Sequence, residues 1–379
     1  MSAEPLLAPP LPADAPDRID TPALVVDLDR MDAAIVRMAG VMAGRGVALR
    51  PHAKTHKSLH VGRLQVAAGA SGLTVGTLGE AEVFAAGGLD DLFIAYPIVP
   101  RGPKAERLAA LVVAAGARGT RVRIGADSPD GVRAVADALG TAAGHVDVLV
   151  EIDAGGHRTG VAPAEAGRLA ADAAAAGLSV IGVFTHGGHG YAGPDARLAA
   201  ADDEVHALEI AAEALAAVGI EPRVVSAGST PTARESARGA VTEERPGTYV
   251  FGDRQQVSLG SIAPDAVAAA VATTIVSVDR GSRRFVVDAG AKILAKDVAP
   301  YVSGHAEIPE LGGAIVTRLY DYHGVVEAPD GAPLPEVGRV VLVVPNHICP
   351  VVNLVDTFLV TRGGAIIDRW PVDARGRNG

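Results

Sequence analysis

The 379 residues are 49% hydrophobic and 21% charged, a globular composition long enough for a large core and unlike a disordered or fibrous one. Asp plus Glu (44) outnumber Lys plus Arg (34), and the net charge of −10 argues against nucleic acid or an anionic membrane as the partner. The single cysteine, Cys349, excludes an intrachain disulfide framework, and no run of roughly 18 apolar residues marks a membrane span.

Residues 1–19 are proline-rich and lack the basic start of a secretory signal, so they read as a loose arm of a soluble, cytoplasmic protein. From Asp20 onward, short apolar runs alternate with Ala-rich helical stretches. The run Ala23–Val26 precedes a helix at Leu28–Arg45. Strands are then expected at Val47–Arg50, Gly72–Thr77, Leu92–Tyr96, Thr120–Ile124, Val146–Ile152, Val180–Phe184, Arg223–Ser226 and Val241–Glu244. Helices are expected at Gly79–Ala86, Lys104–Ala115, Asp130–Leu139, Pro163–Ala176 and Ala196–Val218. Leaving Ala23–Val26 aside, eight strands in βα units close naturally into a (β/α)8 TIM-type barrel, with an open doubly wound sheet as the alternative.

After Gly260 the long helices stop. Val267–Val278, Arg284–Val287, Ala314–Leu319, His323–Glu327, Arg339–Val344, Thr357–Thr361 and Ala365–Trp370 read as strands joined by Gly, Asp and Pro turns, hence an antiparallel β domain. Ala23–Val26 fits that domain as well as the barrel. The division expected is an arm over 1–19, a barrel over 20–258 and a β domain over 259–379.

Chemistry-bearing residues cluster where barrel active sites form, at the C-terminal ends of the strands. Arg50–Lys57 follows the first barrel strand and contains Lys54, whose amine would be nucleophilic if Arg50, His52, His56 and Lys57 disfavoured its charge. A solvated basic loop is an equal reading. Val225–Thr232 offers N–H groups and hydroxyls to an anion at the strand where barrels often hold phosphate, although an ordinary helix cap uses the same residues. Tyr249, in Glu244–Asp253, adds a hydroxyl to that phosphate or packs at the rim. Arg158 sits on a Gly-rich turn, Glu151–Gly160, where it faces a cofactor oxygen or pairs with Asp153. In Thr185–Tyr191 the spacing of His186 and His189 is a weak metal signal, and pocket lining, with Tyr191, is the better reading. Finally, His347 and Cys349 lie two apart, so on an extended strand both point one way, a donor pair suited to zinc; a lone cysteine in a strand is otherwise a small buried hydrophobe. Tyr320, Tyr322 and His323 precede them on a neighbouring expected strand.

Pro51–Lys57, Ser226–Thr232, Arg245–Phe251 and His347–Pro350 together resemble the D-serine dehydratase and D-threonine aldolase family, over nearly the whole chain. The resemblance implies an alanine racemase-like fold, a pyridoxal-phosphate (β/α)8 barrel plus a β domain. It implies that Lys54 forms a Schiff base with pyridoxal phosphate, that Gly228, Ser229 and Thr230 grip its phosphate with Tyr249 nearby, and that Arg158 neighbours its phenolate oxygen. Tyr191 joins the cofactor-binding set. It further implies that His347 and Cys349 ligate a divalent metal, zinc first and manganese second, and that the site forms in a homodimer. The substrate implied is a D-3-hydroxy amino acid. Dehydration of the D-serine type is favoured because aldolases of the family tend to carry aspartate where this chain has Cys349. Retro-aldol cleavage is the alternative, with His52, His186 or a metal-bound water as base. An amino-acid racemase using Lys54 and Tyr320 or Tyr322 is a further alternative.

Overall fold

The computed structural model describes residues 5–12, 14–89 and 91–379, and these fall into two compact units. One comprises Met38–Lys54, Leu59–Gly247 and Gly376–Gly379; the other comprises the chain up to Arg37, Thr55–Ser58 and Thr248–Arg375.

The opening strand is β1 (Ala23–Asp27). The first unit then carries β2 (Ala48–Leu49), β3 (Leu73–Val75), β4 (Leu92–Pro97), β5 (Val122–Ala126), β6 (Val146–Glu151), β7 (Ser179–Phe184), β8 (Val224–Ala227) and β9 (Glu243–Glu244). All eight are parallel, in the order β2-β9-β8-β7-β6-β5-β4-β3. The two ends of that sheet meet: His52 bridges Thr74, and Thr74 N–H donates to the Pro51 carbonyl at 2.8 Å. The sheet is therefore a closed barrel, as eight βα units allow.

Local chemistry sets the helices between the strands. Thr77 Oγ1 accepts the Glu80 N–H at 3.0 Å, and Ser128 Oγ accepts the Gly131 N–H at 3.2 Å, capping Leu78–Ala86 and Pro129–Leu139. The barrel interior is filled by Phe93, Leu149, Ile181 and Phe184. Phe93 and Phe184 meet edge-on with ring centroids 5.0 Å apart. Gly182 lets β7 and β8 approach closely: a Cβ there would lie 1.7 Å from the Val224 carbonyl oxygen.

In the second unit, β10 (Ala269–Asp279), β11 (Arg284–Val287), β12 (Ala306–Ile308), β13 (Ala314–Leu319), β14 (Gly324–Glu327) and β15 (Val340–Pro345) pair antiparallel in a closed ring. β1 pairs antiparallel with β10 and parallel with β16 (Thr357–Arg362), which pairs with β17 (Ala365–Pro371). Apolar pairing thus assigns β1 to the β unit.

The arm is not loose where it is described. Leu6, Ala15 and Ile19 are buried against Val25, Val267 and Leu342, and Arg30 Nη1 bonds the Leu7 carbonyl at 2.8 Å. The remainder of that expectation falls on residues 1–4 and 13, outside the described residues.

Candidate active site

At the barrel rim, β2 runs into a short 3-10 turn, Ala53–Thr55, which leaves Lys54 exposed between two buried neighbours. His52 Nδ1 accepts the Lys54 N–H at 3.3 Å, so this imidazole carries any proton on Nε2. Two of the four basic side chains expected around Lys54 have partners of their own. Arg50 is buried and pairs with Asp91 at 2.8 Å and Glu243 at 2.7 Å, and Lys57 Nζ bonds Asn353 at 2.8 Å within the β unit. Burial penalises the Glu243 carboxylate, but Arg50 and Arg123 overcome that and hold it below the usual range.

Lys54, Arg158 and Arg245 surround His186. Burial and these three charges pull its imidazole down to about 3, so the ring is neutral at ordinary pH, and it is hydrogen-bonded to the Gly228 backbone. The His186 and Tyr191 rings lie 6.4 Å apart. Glu151, Asp153, Arg158, Thr159, His186 and Tyr191 line a cavity of about 320 Å³. His189 Nε2 lies 3.1 Å from Asp203 Oδ2. Asp153 also goes elsewhere: it takes the Gly155 and His157 N–H groups and His157 Nδ1, while Arg158 faces Glu151 at 3.9 Å.

The turn after β8 is more occupied than its sequence suggests. Gly228 N–H donates to Glu204 Oε1 at 3.0 Å, and Ser229 N–H donates to Thr232 Oγ1 at 3.1 Å. An anion would meet this turn through its other polar atoms. Glu204 and Glu244 are buried beside it; desolvation raises both pKa values, and the Glu204 charge raises that of Glu244 further. Arg245 is the buried counter-charge, its guanidinium 5.3 Å from the Phe184 centroid and bonded to Ser226 Oγ at 2.6 Å.

In the β unit, Tyr249 is buried in the 3-10 turn Thr248–Val250. His347 and Cys349 are not on an extended strand. Pro345 ends β15, His347 is the N-cap of the helix Ile348–Asn353, and Cys349 lies in its first turn, where Pro350 is tolerated. The two side chains still come together, with thiol and imidazole in hydrogen-bond contact. His347 Nδ1 meets Asp297 Oδ2 at 2.6 Å. Burial opposes charge on this ring, but Cys349 and Asp297 outweigh it and push the imidazole up to about 11. The imidazole is thus held between the Asp297 carboxylate, on Nδ1, and the Cys349 thiol. Among the described residues no three His, Cys, Asp or Glu side chains form a ready cluster. Cys349 Sγ also lies 3.3 Å from Thr55 Oγ1, the residue after Lys54 in sequence. Tyr320 and Tyr322 are exposed at the β13–β14 turn, with Lys292 over the Tyr322 ring at 5.6 Å.

Glu151, Glu204, Asp253 and Asp297 were not singled out by sequence. Glu204 left a signal: it falls on the buried stripe of its helix, with Ala200, Ala201, Leu208 and Ala211. Asp297, in a loop fifty residues before its partner, left none.

An eight-stranded parallel barrel followed by an antiparallel β unit defines an alanine racemase-like architecture. The model of the alanine racemase N-terminal domain matches residues 26–255, and a serine dehydratase domain model matches residues 268–361. The chain belongs to the D-serine dehydratase and D-threonine aldolase family. It is 37% identical to the D-threo-3-hydroxyaspartate dehydratase of Delftia sp. strain HT23, over 87% of this chain and 91% of that one. It is 31% identical to a D-threonine aldolase of Arthrobacter sp., over 98% and 97% respectively. The crystal structure of the Filomicrobium marinum D-threonine aldolase superposes with a TM-score of 0.86 at 33% identity, covering 98% of this chain and 99% of that one. A cysteine-to-alanine mutant of a D-threo-3-hydroxyaspartate dehydratase, in its metal-free form, superposes with a TM-score of 0.85 at 33% identity, over 93% of this chain and 97% of that one.

Proposed function

We propose that this protein is a divalent-metal-dependent dehydratase of D-3-hydroxy amino acids, converting a D-serine-type substrate to a 2-oxo acid and ammonia. The observation that carries this reading is Cys349 against His347, with Asp297 behind the imidazole. A relative with dehydratase activity that is known in a metal-free cysteine mutant supports it.

Bound pyridoxal phosphate supplies an electron sink for the substrate α-carbon. A divalent metal, zinc before manganese, supplies a Lewis acid for the β-hydroxyl. In this reading Lys54 Nζ holds the cofactor and moves the α-proton, and His347 Nε2 and Cys349 Sγ hold the metal. Arg158 and Tyr191 flank the cofactor ring, and Gly228, Ser229, Thr230 and Tyr249 hold its phosphate. His186, whose imidazole is held down to about 3 by burial and by the neighbouring Lys54, Arg158 and Arg245 charges, acts as a hydrogen-bonding wall rather than a base. The enzyme works as a homodimer on a small D-amino acid. Among the described residues no helix is long and apolar enough to cross a membrane.

Product analysis with D-threonine tests the reading. Ammonia and 2-oxobutanoate are expected, lost on chelation and restored by zinc or manganese. Glycine and acetaldehyde would make the protein an aldolase, the second reading, favoured by the full-length likeness to D-threonine aldolases. Chelator-resistant interconversion of D- and L-amino acids would overturn both. Lys54→Ala is expected to abolish the visible absorption of bound cofactor, and an unchanged spectrum removes Lys54 from its role.

A further inference from the structure

Glu204 is 0% exposed, on the helix Ala196–Ala217, among alanines and leucines that pack inward. A carboxylate there is costly unless it is bonded, and an apolar residue would fill the stripe more cheaply. Its bonds identify what the carboxylate does. Oε1 accepts two backbone N–H groups from different loops, Gly187 at 2.7 Å and Gly228 at 3.0 Å. Gly187 directly follows His186 after β7, and Gly228 directly precedes Ser229 and Thr230 after β8.

Both partners are glycines for a steric reason. A Cβ at residue 187 would lie 2.6 Å from the Glu204 carboxyl carbon, and one at residue 228 would lie 1.8 Å from Glu244 Oε2. Gly228 also adopts a φ of +97°, in the region that favours glycine. A second link runs between the same loops, from the His186 imidazole to the Gly228 backbone. The backbone at Gly228 is thus held from the helix side by Glu204 and from the cavity side by His186.

We propose that Glu204 is a positioning residue that locks the two loops together, so that the Ser229–Thr230 turn is preformed for the cofactor phosphate. The proposal rests on the reading of that turn as the phosphate grip. Because Glu204 consumes the Gly228 N–H, it acts by fixing the turn and not by touching the anion.

The test compares Kd values for pyridoxal phosphate and for unphosphorylated pyridoxal, by equilibrium dialysis of full-length protein. Glu204→Ala should weaken pyridoxal phosphate by about 10- to 100-fold, the scale of two lost hydrogen bonds to a charged group, and leave pyridoxal within about threefold. Glu204→Gln should retain most affinity, since an amide oxygen accepts the same two N–H groups. Glu204→Asp keeps the charge but is one methylene too short, and should behave like the alanine variant even if the latter fails to fold. Equal losses for both ligands would overturn the proposal, because they indicate a general packing role. So would unchanged affinities in folded Ala and Asp variants. Wild-type protein that binds both ligands equally would instead remove the phosphate-grip reading, and the proposal with it.

Discussion

Two histidines in this molecule are driven in opposite directions by their neighbours. His186 sits among Lys54, Arg158 and Arg245 in a desolvated place, and its folded-state value of about 3 lies well below the ordinary 6.5. The sign of its linkage follows: between those values the unfolded chain takes up a proton that the folded one refuses. Stability should therefore fall as pH drops through that window, by up to about 1.4 kcal/mol per pH unit from this group. Denaturant midpoints measured from neutral to mildly acid pH should show a slope about one proton shallower in His186→Gln. An identical slope would mean that His186 titrates normally. His347 is the opposite case: burial opposes its charge, but Cys349 first and then Asp297, 2.6 Å from Nδ1, raise its value. In the metal reading, Asp297 fixes which ring nitrogen is presented. Asp297→Asn is expected to lower zinc affinity by about 10- to 100-fold in a chelator-competition titration. Unchanged affinity would leave Asp297 a bystander.

Elements, and not single side chains, explain what was legible beforehand. Apart from β9, which is the buried pair Glu243–Glu244, the barrel strands were marked by apolar runs, because parallel strands covered on both faces are mostly apolar. Lys54, His186 and the β8 turn were legible as candidates because each stands at the C-terminal end of such a run, where barrel active sites form. The geometry of the His347–Cys349 motif was not legible, since a two-residue spacing reads equally well as strand or as helix start. What turned it into a helix lies far away in sequence. Asp253 Oδ1 accepts the Gln256 N–H at 2.9 Å while Oδ2 accepts the Ile348 N–H at 3.1 Å, so one buried carboxylate caps two helices. Asn346 is clamped as well, with Nδ2 bonded to the Asp297 and Gly304 carbonyls at 3.0 and 2.8 Å, and Oδ1 accepting from Arg254 at 2.7 Å. Such contacts have no local signature. Asp253→Ala should destabilise the protein by about 2–5 kcal/mol in unfolding experiments, the cost of two buried N–H groups left without partners. Asp253→Asn should cost less, because its amide oxygen still satisfies one of them. Equal stability of Asp253→Ala and wild type would show that water or backbone movement replaces the cap.

At the scale of the whole molecule, the chain does not split at one point as a 20–258 and 259–379 division assumes. Residues through Arg37 and the short piece Thr55–Ser58 belong with Thr248–Arg375, so the β unit is assembled from three separate stretches. The reason is strand pairing: β1 lies between β10 and β16, so both of its edges are taken by strands of the β unit and none is left for the barrel. This β unit also displays Tyr320 and Tyr322 at 59% and 65% exposure on one turn, large apolar rings that a soluble monomer rarely shows together. The homodimer reading gives those rings a partner surface. Sedimentation of the wild-type protein is therefore expected to give a dimer. The double substitution Tyr320→Asp and Tyr322→Asp should shift it toward monomer, with activity falling in parallel on dilution. The parallel is the informative part, because a dimer needed only for stability would lose thermal midpoint while the surviving folded monomer kept its turnover. A wild-type monomer that remains fully active when dilute would remove the dimer from the mechanism and require one chain to complete the site alone.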